Sequence, residues 1–348
     1  MSDLAKWKVH GPVETLRKEF AIWDLDNEAW QPVRHYSTSS FRPDGKISAT
    51  DFYNADGSIG HSVCLYDDAG RLTESNSSMG DGPVSRALYF YDEAGRHLRT
   101  AHLSQDGPQT DTEICIYDAG GKRTKVQFLS FTGAHTSYSI EGTDMGWSAP
   151  GAARMTTTYD DRDLPTKVVF RDANDNPLRY STLTRDNEGR LLKVELSLGD
   201  EVFLKEIAEK SPAEDRQRTA SMLKQIFGGT FSNTTHVYDS RGRMIETTHR
   251  MGTLGGNRTT YRYDDDHDDP IEETTEHTSR EANIDEHGVV CYSQDRVMIQ
   301  HNRFDYVYDA HGNWIEQILS IRPEPNTTFQ RSNTERRAIT YHAVQMAG

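Results

Sequence analysis

The densest group of metal-ligating side chains in the sequence is the run from Asp264 to Asp269, in which His267 is the one residue that is not aspartate. Carboxylate oxygens are the ligands that hard cations prefer. Asp264, Asp266, His267 and Asp268 are therefore candidate ligands for a divalent cation. The run lacks the ligand spacing of an EF-hand and coincides with a predicted turn, so a solvated acidic loop is the competing interpretation.

Histidines and cysteines offer further candidate groups. Eight of the 14 histidines lie in the last third of the chain, at His236, His249, His267, His277, His287, His301, His311 and His342. This concentration permits a metal or general-base site there. Cys64 and Cys115 occupy equivalent positions on predicted strands, where small core residues and reactive thiols are both open interpretations.

The patterns of known catalytic motifs do not occur in the sequence. Nucleophile elbows, the HExxH zinc motif and dinucleotide-binding glycine patterns are missing. The pair Gly121-Lys122 follows Ile116, where a phosphate-binding loop needs its first glycine. The sequence therefore predicts no catalytic residue and no cofactor other than the candidate divalent cation.

The elements that position these residues are visible as a repeat. Five copies share Tyr-Asp followed by Gly three residues after the Asp: Tyr66, Asp67 and Gly70; Tyr91, Asp92 and Gly95; Tyr117, Asp118 and Gly121; Tyr238, Asp239 and Gly242; Tyr308, Asp309 and Gly312. A copy at Asp186 lacks the Tyr, whereas the copies at Asp160 and Asp264 carry Asp163 and His267 in place of Gly.

The spacing Asp-x-x-Gly is typical of a tight turn. The carboxylate can accept a backbone N–H two residues on, and the Gly supplies the positive φ of a bulged hairpin. Weaker copies at Gly45, Gly57, Gly82, Gly107 and Gly133 alternate with strong ones at intervals of 12 to 14 residues, which fit a strand of about eight residues plus a turn.

These intervals predict a mainly β fold. Consecutive strands joined by short turns form a long up-and-down antiparallel meander, which we expect to curl into an open or barrel-like shell. The turns predict about sixteen to eighteen strands. Residues two positions before each Tyr share its face of the sheet, and we expect this face to be the packed one.

Two stretches interrupt the meander. A long loop is predicted over residues 134–152, which include Gly142, Met145, Gly146, Trp147, Pro150 and Gly151. A small helical insertion follows later. Asp200 can cap a helix through Lys210, and Ser211-Pro212-Ala213-Glu214 resembles the capping box of a second helix. Ala220, Leu223 and Phe227 have helical spacing in that second helix, and Gly228-Gly229 ends it.

The repeated Tyr-Asp-x-x-Gly turns, over residues 36–200 and 230–320, resemble the YD repeats of the RHS family. The resemblance implies a β sheet that coils into a shell, which in large relatives encloses a toxic domain or a partner polypeptide. This chain departs from their Asp-Pro-x-Gly self-cleavage signature, because Asp269-Pro270 is followed by Ile271 and Glu272. Few residues follow the last repeat, so we expect a short member with neither the self-cleaving core nor a toxin domain.

The repeats divide the sequence into five predicted segments. These are N-terminal capping strands over 1–35, a repeat meander over 36–199, the helical insertion over 200–229, a second repeat segment over 230–320 and a C-terminal strand or tail over 321–348.

Composition restricts the partners. The net charge of −15 disfavours a nucleic-acid binder and a protein bound to acidic membrane surfaces. No signal peptide or long apolar run is apparent, and the three cysteines form no metal or disulfide pattern. We therefore expect a cytoplasmic protein, with export by a non-classical bacterial secretion system left open.

Two functions fit these observations. The first is a non-enzymatic scaffold that binds or partly encloses a peptide, protein or ligand, and the resemblance extends it to a bacterial toxin or competition system. The alternative is a carbohydrate-active hydrolase or lectin-like protein that uses carboxylates on the concave face of the sheet. Because the distinctive residues serve turns, the sequence favours the scaffold and leaves an enzyme open.

Overall fold

The computed structural model describes residues 3–103, 109–130, 136–139, 146–149, 152–198, 212–227, 230–285, 289–322 and 327–343. Over these residues the chain forms 25 strands and two helices. Several predictions fall outside the described residues: Gly107, Gly133, Gly142, Met145, Pro150, Gly151, the helix from Asp200 to Lys210, Ser211, Gly228, Gly229 and His287.

The first elements run from the N-terminus to the middle of the chain. They are α1 (Asp3–Lys6), β1 (Val13–Asp24), β2 (Ala29–Trp30), β3 (Arg34–Phe41), β4 (Ile47–Tyr53), β5 (Ile59–Tyr66), β6 (Leu72–Met79), β7 (Ser85–Tyr91), β8 (His97–Leu103), β9 (Gln109–Tyr117), β10 (Arg123–Ser130), β11 (Thr136–Ser139), β12 (Gly146–Ala149), β13 (Arg154–Tyr159) and β14 (Pro165–Arg171).

The remaining elements complete the chain. They are β15 (Pro177–Arg185), β16 (Leu191–Leu198), α2 (Arg216–Phe227), β17 (Ser232–Tyr238), β18 (Met244–Met251), β19 (Gly255–Tyr263), β20 (Pro270–Ser279), β21 (Ala282–Ile284), β22 (Val290–Tyr292), β23 (Arg296–Tyr308), β24 (Trp314–Arg322) and β25 (Gln330–Tyr341).

The chain divides into two compact units. One comprises Met1–Ala94, Thr100–Gln109 and His301–Gly348. Within it β1 pairs antiparallel with both β3 and β25. The order continues from β3 through β4, β5, β6 and β7, and from β25 through β24 to β23. The first and last long strands of the sequence are therefore neighbours.

The other unit comprises Gly95–Arg99 and Thr110–Gln300. Strands β9, β10 and β13 to β20 pair antiparallel in that order. Its apolar core is formed by buried side chains of β13 to β16, among them Met155, Val168 and Phe170. The prediction of a mainly β antiparallel meander with a helical insertion is confirmed.

The strand count of sixteen to eighteen is too low. The repeat turns do not mark the chain ends, where β1, β2 and β25 lie, and they do not mark the small hairpins β11–β12 and β21–β22. Turn spacing counts only the strands that Asp-x-x-Gly turns connect. The structure therefore contains more strands than the Asp-x-x-Gly turns connect.

The Asp-x-x-Gly turns share one geometry. In the copy at Asp67, Gly70 N–H donates to the Asp67 carbonyl and Asp67 N–H donates to the Arg71 carbonyl, both at 2.9 Å. The turn glycines have φ between 73 and 87°, at Gly45, Gly57, Gly70, Gly95, Gly121, Gly189, Gly242 and Gly312. Asp163, which replaces a turn glycine, also has a positive φ of 58°. An aspartate can therefore adopt the left-handed conformation of this turn, whereas His267, in the other Tyr-Asp copy that lacks the glycine, does not have a positive φ.

The turn carboxylates reach further than two residues. Their Oδ1 atoms accept the backbone N–H four residues on, at Asp67, Asp118, Asp186, Asp239 and Asp309. Asp239 also accepts the N–H of Arg241, two residues on. The carboxylate therefore joins the two strand ends as well as capping the turn.

The predicted loop over 134–152 is wrong for its described residues. Thr136–Ser139 and Gly146–Ala149 form an antiparallel hairpin with Tyr138 opposite Trp147. The glycines and proline suggested a loop, but Thr136, Tyr138 and Trp147 are of residue types that favour strands.

The helix α2 begins later than the capping box predicts. Residues 213–215 form a turn closed by the Asp215 N–H on the Pro212 carbonyl, and the Asp215 carbonyl accepts the Thr219 N–H. The helix therefore begins at Arg216, with Leu223 and Ile226 buried. None of the described helices has the length and apolar character needed to cross a membrane.

The tyrosine face, defined as the sheet face that carries the repeat tyrosines, is the more buried one, as predicted. Cys115 and Thr157, two residues before a repeat Tyr, are 5% and 3% exposed. The opposite face carries exposed apolar residues directly before five of the repeat tyrosines: Leu65, Phe90, Ile116, Val237 and Val307. Packing therefore follows the tyrosines rather than the apolar pattern.

The turn geometry predicts the effect of a β-branched residue. Gly95→Val should lower the free energy of unfolding by about 1 kcal/mol or more, because Gly95 has a φ of 78°. Urea unfolding measures this change. Ala94→Val, one residue earlier and outside the left-handed region, is the control, and an equal loss in both variants would contradict the strain argument.

Candidate functional site

The repeat residues build a ladder of contacts from one hairpin to the next. Arg243 pairs with the Asp239 carboxylate at 2.8 Å, and its guanidinium lies over the ring of Tyr263 at 4.6 Å. The Tyr263 hydroxyl donates to the Met244 carbonyl at 2.7 Å. One arginine thus links its own turn to the tyrosine of the next copy.

The same tyrosine contact recurs in both units. Each hydroxyl donates to the carbonyl of the residue that follows the basic turn residue: Tyr66 to Ile47, Tyr91 to Leu72, Tyr117 to His97, and Tyr238 to Leu191. A guanidinium lies over each of these rings, from Arg42, Arg71, Arg96 and Arg190 respectively. These residues hold the architecture together.

The last repeat turn fastens the C-terminal strand. The Asp309 carboxylate accepts hydrogen bonds from the Asn313 N–H and the Tyr341 hydroxyl. The Asn313 side chain, 1% exposed, donates to the His10 carbonyl at 2.9 Å and accepts the His10 N–H. The turn at Gly312 therefore binds residues from both ends of the chain.

The first carboxylate of the acidic run, that of Asp264, makes hydrogen bonds within the run itself. Asp264 accepts the backbone N–H groups of Asp266 and His267, and its carboxylate lies 3.0 Å from His267 Nδ1. Asp264, Asp266, His267 and Asp268 do not place three ligand atoms within 4.8 Å of one another. The side chains predicted as ligands are thus adjacent in sequence without converging.

Two arginines occupy other oxygens of the acidic run. Arg241 donates to the Asp265 carbonyl at 2.7 Å and lies 3.3 Å from the Asp268 carboxylate. Arg243 donates to the Asp264 carbonyl at 2.8 Å. These guanidinium groups supply positive charge where a cation would need to bind.

The histidines of β17, β18 and β20 lie on the tyrosine face, each beside a side chain of a neighbouring strand. Their ring nitrogens contact these partners: His236 with Thr247 at 3.1 Å, His249 with Thr234 at 2.9 Å, and His277 with Asn257. In the described part of the chain they belong to no cluster of three metal-ligating groups.

A cleft of about 570 Å³ lies on β18, β19 and β20. Its lining includes five charged side chains: Glu246, Arg250, Arg258, Glu276 and Arg280. Gly256 lines it as well, and a Cβ atom there would collide with the His249 carbonyl oxygen. Because Gly256 has no side chain, the backbone of β19 can lie close to that of β18, and no side chain at this position fills the cleft.

The charges of the cleft are unevenly paired. Arg258 lies 2.7 Å from Glu246, and its hydrogen bond holds the pKa of that carboxyl below its usual value. Arg280 pairs with Asp295 at 2.8 Å. Arg250 is exposed, and within the described residues no carboxylate lies within 4.0 Å of it.

A second cluster comprises His97, Glu113 and Cys115. Their ligand atoms lie within 4.8 Å of one another, with 3.4 Å between Cys115 Sγ and His97 Nδ1. Burial lowers the pKa of His97, against the opposing charge of Glu113. The sequence analysis placed Cys115 on a strand but did not identify His97 or Glu113. The signal that could have found them is that each differs from the residues at the equivalent position in most other copies.

Comparisons with known proteins give little. No protein-family model matches the chain, and no curated protein matches it. Among solved structures, it is similar to a porin-like protein from Bacteroides uniformis, at 12% sequence identity and a TM-score of 0.35, over 95% of this chain and 99% of that one.

The ladder predicts the effect of removing one hydroxyl. Tyr263→Phe should lower the free energy of unfolding by about 1 kcal/mol, because the Met244 carbonyl loses its donor while the Arg243 contact remains. Tyr36→Phe is the control, since Tyr36 is 58% exposed. Equal stabilities of the two variants in urea would show that the hydroxyl contributes nothing.

Two half-buried tyrosines, Tyr263 and Tyr341, predict a loss of stability at alkaline pH. Burial raises the pKa of Tyr263 and of Tyr341 from 10.0 to about 12. Because the folded protein favours the neutral phenol, this stabilisation is complete below pH 10.0 and is lost as the pH rises to about 12. Urea unfolding across this range should show the loss, and Tyr263→Phe should make it shallower; an unchanged slope would contradict the assignment.

Proposed function

We propose that the protein is a non-enzymatic β scaffold that binds a peptide, protein or small ligand in the cleft on β18, β19 and β20. The observation that carries this proposal is the cleft itself. Its volume of about 570 Å³ falls within the range of known ligand sites, about 300–1,000 Å³. Its walls carry three arginines and two glutamates, and all of these except Arg280 lie on regular strands, which hold side chains in fixed positions.

The charges favour a ligand with a carboxylate or another planar anionic group. A guanidinium binds such groups through two parallel hydrogen bonds. Arg250 is exposed at the cleft and offers this fork. Glu246 and Glu276 can accept donors from the same ligand. A peptide or a polar saccharide supplies both kinds of group.

A carbohydrate hydrolase is the weaker alternative. Glu246 and Glu276 provide two carboxylates in one cleft. A glycosidase needs one carboxylic acid with a raised pKa as proton donor, whereas Arg258 keeps the pKa of Glu246 low. Glu246 is therefore unsuited to the role of proton donor, and lectin-like binding of a saccharide needs no such group.

Kinship with the RHS family belongs to the same proposal. The recurrence of the tyrosine ladder at Tyr66, Tyr91, Tyr117, Tyr238 and Tyr263 supports a YD-type repeat, whose sheet curls into a shell. A role in bacterial toxin or competition systems rests on that kinship, and a cytoplasmic location, with non-classical export left open, is part of the same proposal.

The proposal includes neither nucleic acid nor a membrane among the partners of the protein. Nucleic acid is disfavoured by the net charge of −15. Cross-strand ion pairs lie on the face opposite the tyrosines, such as Arg262 with Glu272 and Glu316 with Arg336. Charged groups of this kind are costly in lipid, which disfavours membrane contact through that face.

Native mass spectrometry of the chain, purified gently from its own host, tests the proposal. The expected result is a bound species at a fixed stoichiometry that Arg250→Ala releases. Arg154→Ala is the matched control, because Arg154 is also exposed and does not line the cleft. A wild-type chain that carries nothing, or an Arg250→Ala variant that keeps the bound species, would overturn the cleft as the binding site.

A further inference from the structure

Two consecutive repeat copies each carry an ionisable residue at a position where most copies carry a non-ionisable one. Two residues after the turn glycine, most copies place an apolar residue: Ile47, Leu72, Leu191, Met244 and Trp314. The copy at Gly95 places His97 there. Four residues before the repeat Tyr, the other copies carry Ser62, Ala87, Met155, Thr234, Thr259 and Phe304, whereas the copy at Tyr117 carries Glu113.

Both departures lie beside Cys115. Glu113 and Cys115 are two residues apart on β9 and share the tyrosine face. His97 begins β8, where its carbonyl accepts the Tyr117 hydroxyl, so the tyrosine ladder brings its ring to β9. Cys115 is 5% exposed, and His97 and Glu113 are half-buried. Regular strands and a repeated hydrogen bond therefore position all three groups.

We propose that His97, Glu113 and Cys115 form a binding site for a divalent cation of the zinc class. An imidazole nitrogen, a carboxylate oxygen and a thiolate are the ligand types that Zn²⁺ prefers. Ligands of a tetrahedral zinc ion lie roughly 3.5 Å apart, given metal distances of about 2.0–2.3 Å. The three ligand atoms are within 4.8 Å of one another, so small side-chain rotations complete the site.

The charge balance of the site is favourable. On binding, the Cys115 thiol releases its proton to solvent, and the resulting thiolate and the Glu113 carboxylate together balance the two positive charges of the ion. Arg123 acts electrostatically on His97, but its guanidinium holds the Asp163 carboxylate at 2.8 and 3.0 Å. Three protein ligands leave a fourth position for water or an external ligand.

Cys64 provides a matched control within the same chain. It stands two residues before Tyr66, as Cys115 stands two before Tyr117. The positions equivalent to His97 and Glu113 are Ile47 and Ser62, neither of which ligates zinc. Cys115 therefore has two candidate ligands at these repeat positions, whereas Cys64 has none at the equivalent positions.

Cobalt substitution tests the proposal on the full chain. After treatment with a chelator, titration with Co²⁺ should give one bound ion per chain and a thiolate-to-cobalt charge-transfer band, which Zn²⁺ should displace. Cys115→Ser should abolish the band, and Cys64→Ser should leave it unchanged. His97→Ile and Glu113→Ser install the residues that the repeat carries at the equivalent positions, so they should fold and weaken Zn²⁺ binding by about tenfold or more.

Circular dichroism and thermal unfolding establish that each variant is folded. A wild-type chain that shows no thiolate-to-cobalt band would overturn the proposal. So would a Cys64→Ser variant that loses the band as fully as Cys115→Ser, or folded His97→Ile and Glu113→Ser variants that bind Zn²⁺ as tightly as the wild type.

Discussion

The hydrogen bond from a repeat tyrosine to the preceding hairpin, present at Tyr66, Tyr91, Tyr117, Tyr238 and Tyr263, is the interaction on which the rest of this structure depends. A strand pair in water is only marginally stable, so a meander needs contacts that cross from hairpin to hairpin. The Tyr263 hydroxyl reaches the Met244 carbonyl beside the turn of the previous copy, and Arg243 fills the space between them. Each copy thus secures the one before it.

This interaction explains how a lean composition supports so long a sheet. Only 34% of the residues are hydrophobic, and many fully buried positions hold serine or threonine, such as Ser39, Thr157 and Ser181. Tyrosine combines a large apolar ring with a polar tip, so it can cover the sheet and still bond to the backbone. Arginine extends the cover with its stem while its charge pairs with the turn aspartate. The ladder therefore replaces part of a conventional core.

The sequence predicted what the repeat encodes and missed what it does not. The Asp-x-x-Gly turns, the antiparallel order and the buried tyrosine face follow from local rules, because a carboxylate cap and a positive φ act within a few residues. The pairing of β1 with β25 joins positions about 320 residues apart, for which no local signal exists. The cleft on β18 to β20 depends on how Gly256 lets two backbones approach, which is a property of the folded strands.

The candidate cation sites show the same division between local and non-local information. The acidic run was conspicuous in sequence, yet its carboxylates act within a turn and beside Arg241 and Arg243. His97 is separated from Cys115 by 18 residues and looked unremarkable until the tyrosine ladder set the two copies side by side. In a repeat protein the structural requirements of the repeat determine most residue types. Where two consecutive copies place a histidine and a glutamate beside a buried cysteine, at positions that are non-ionisable in most copies, the repeat gains nothing, and a bound ligand is the simplest physical reason for the change.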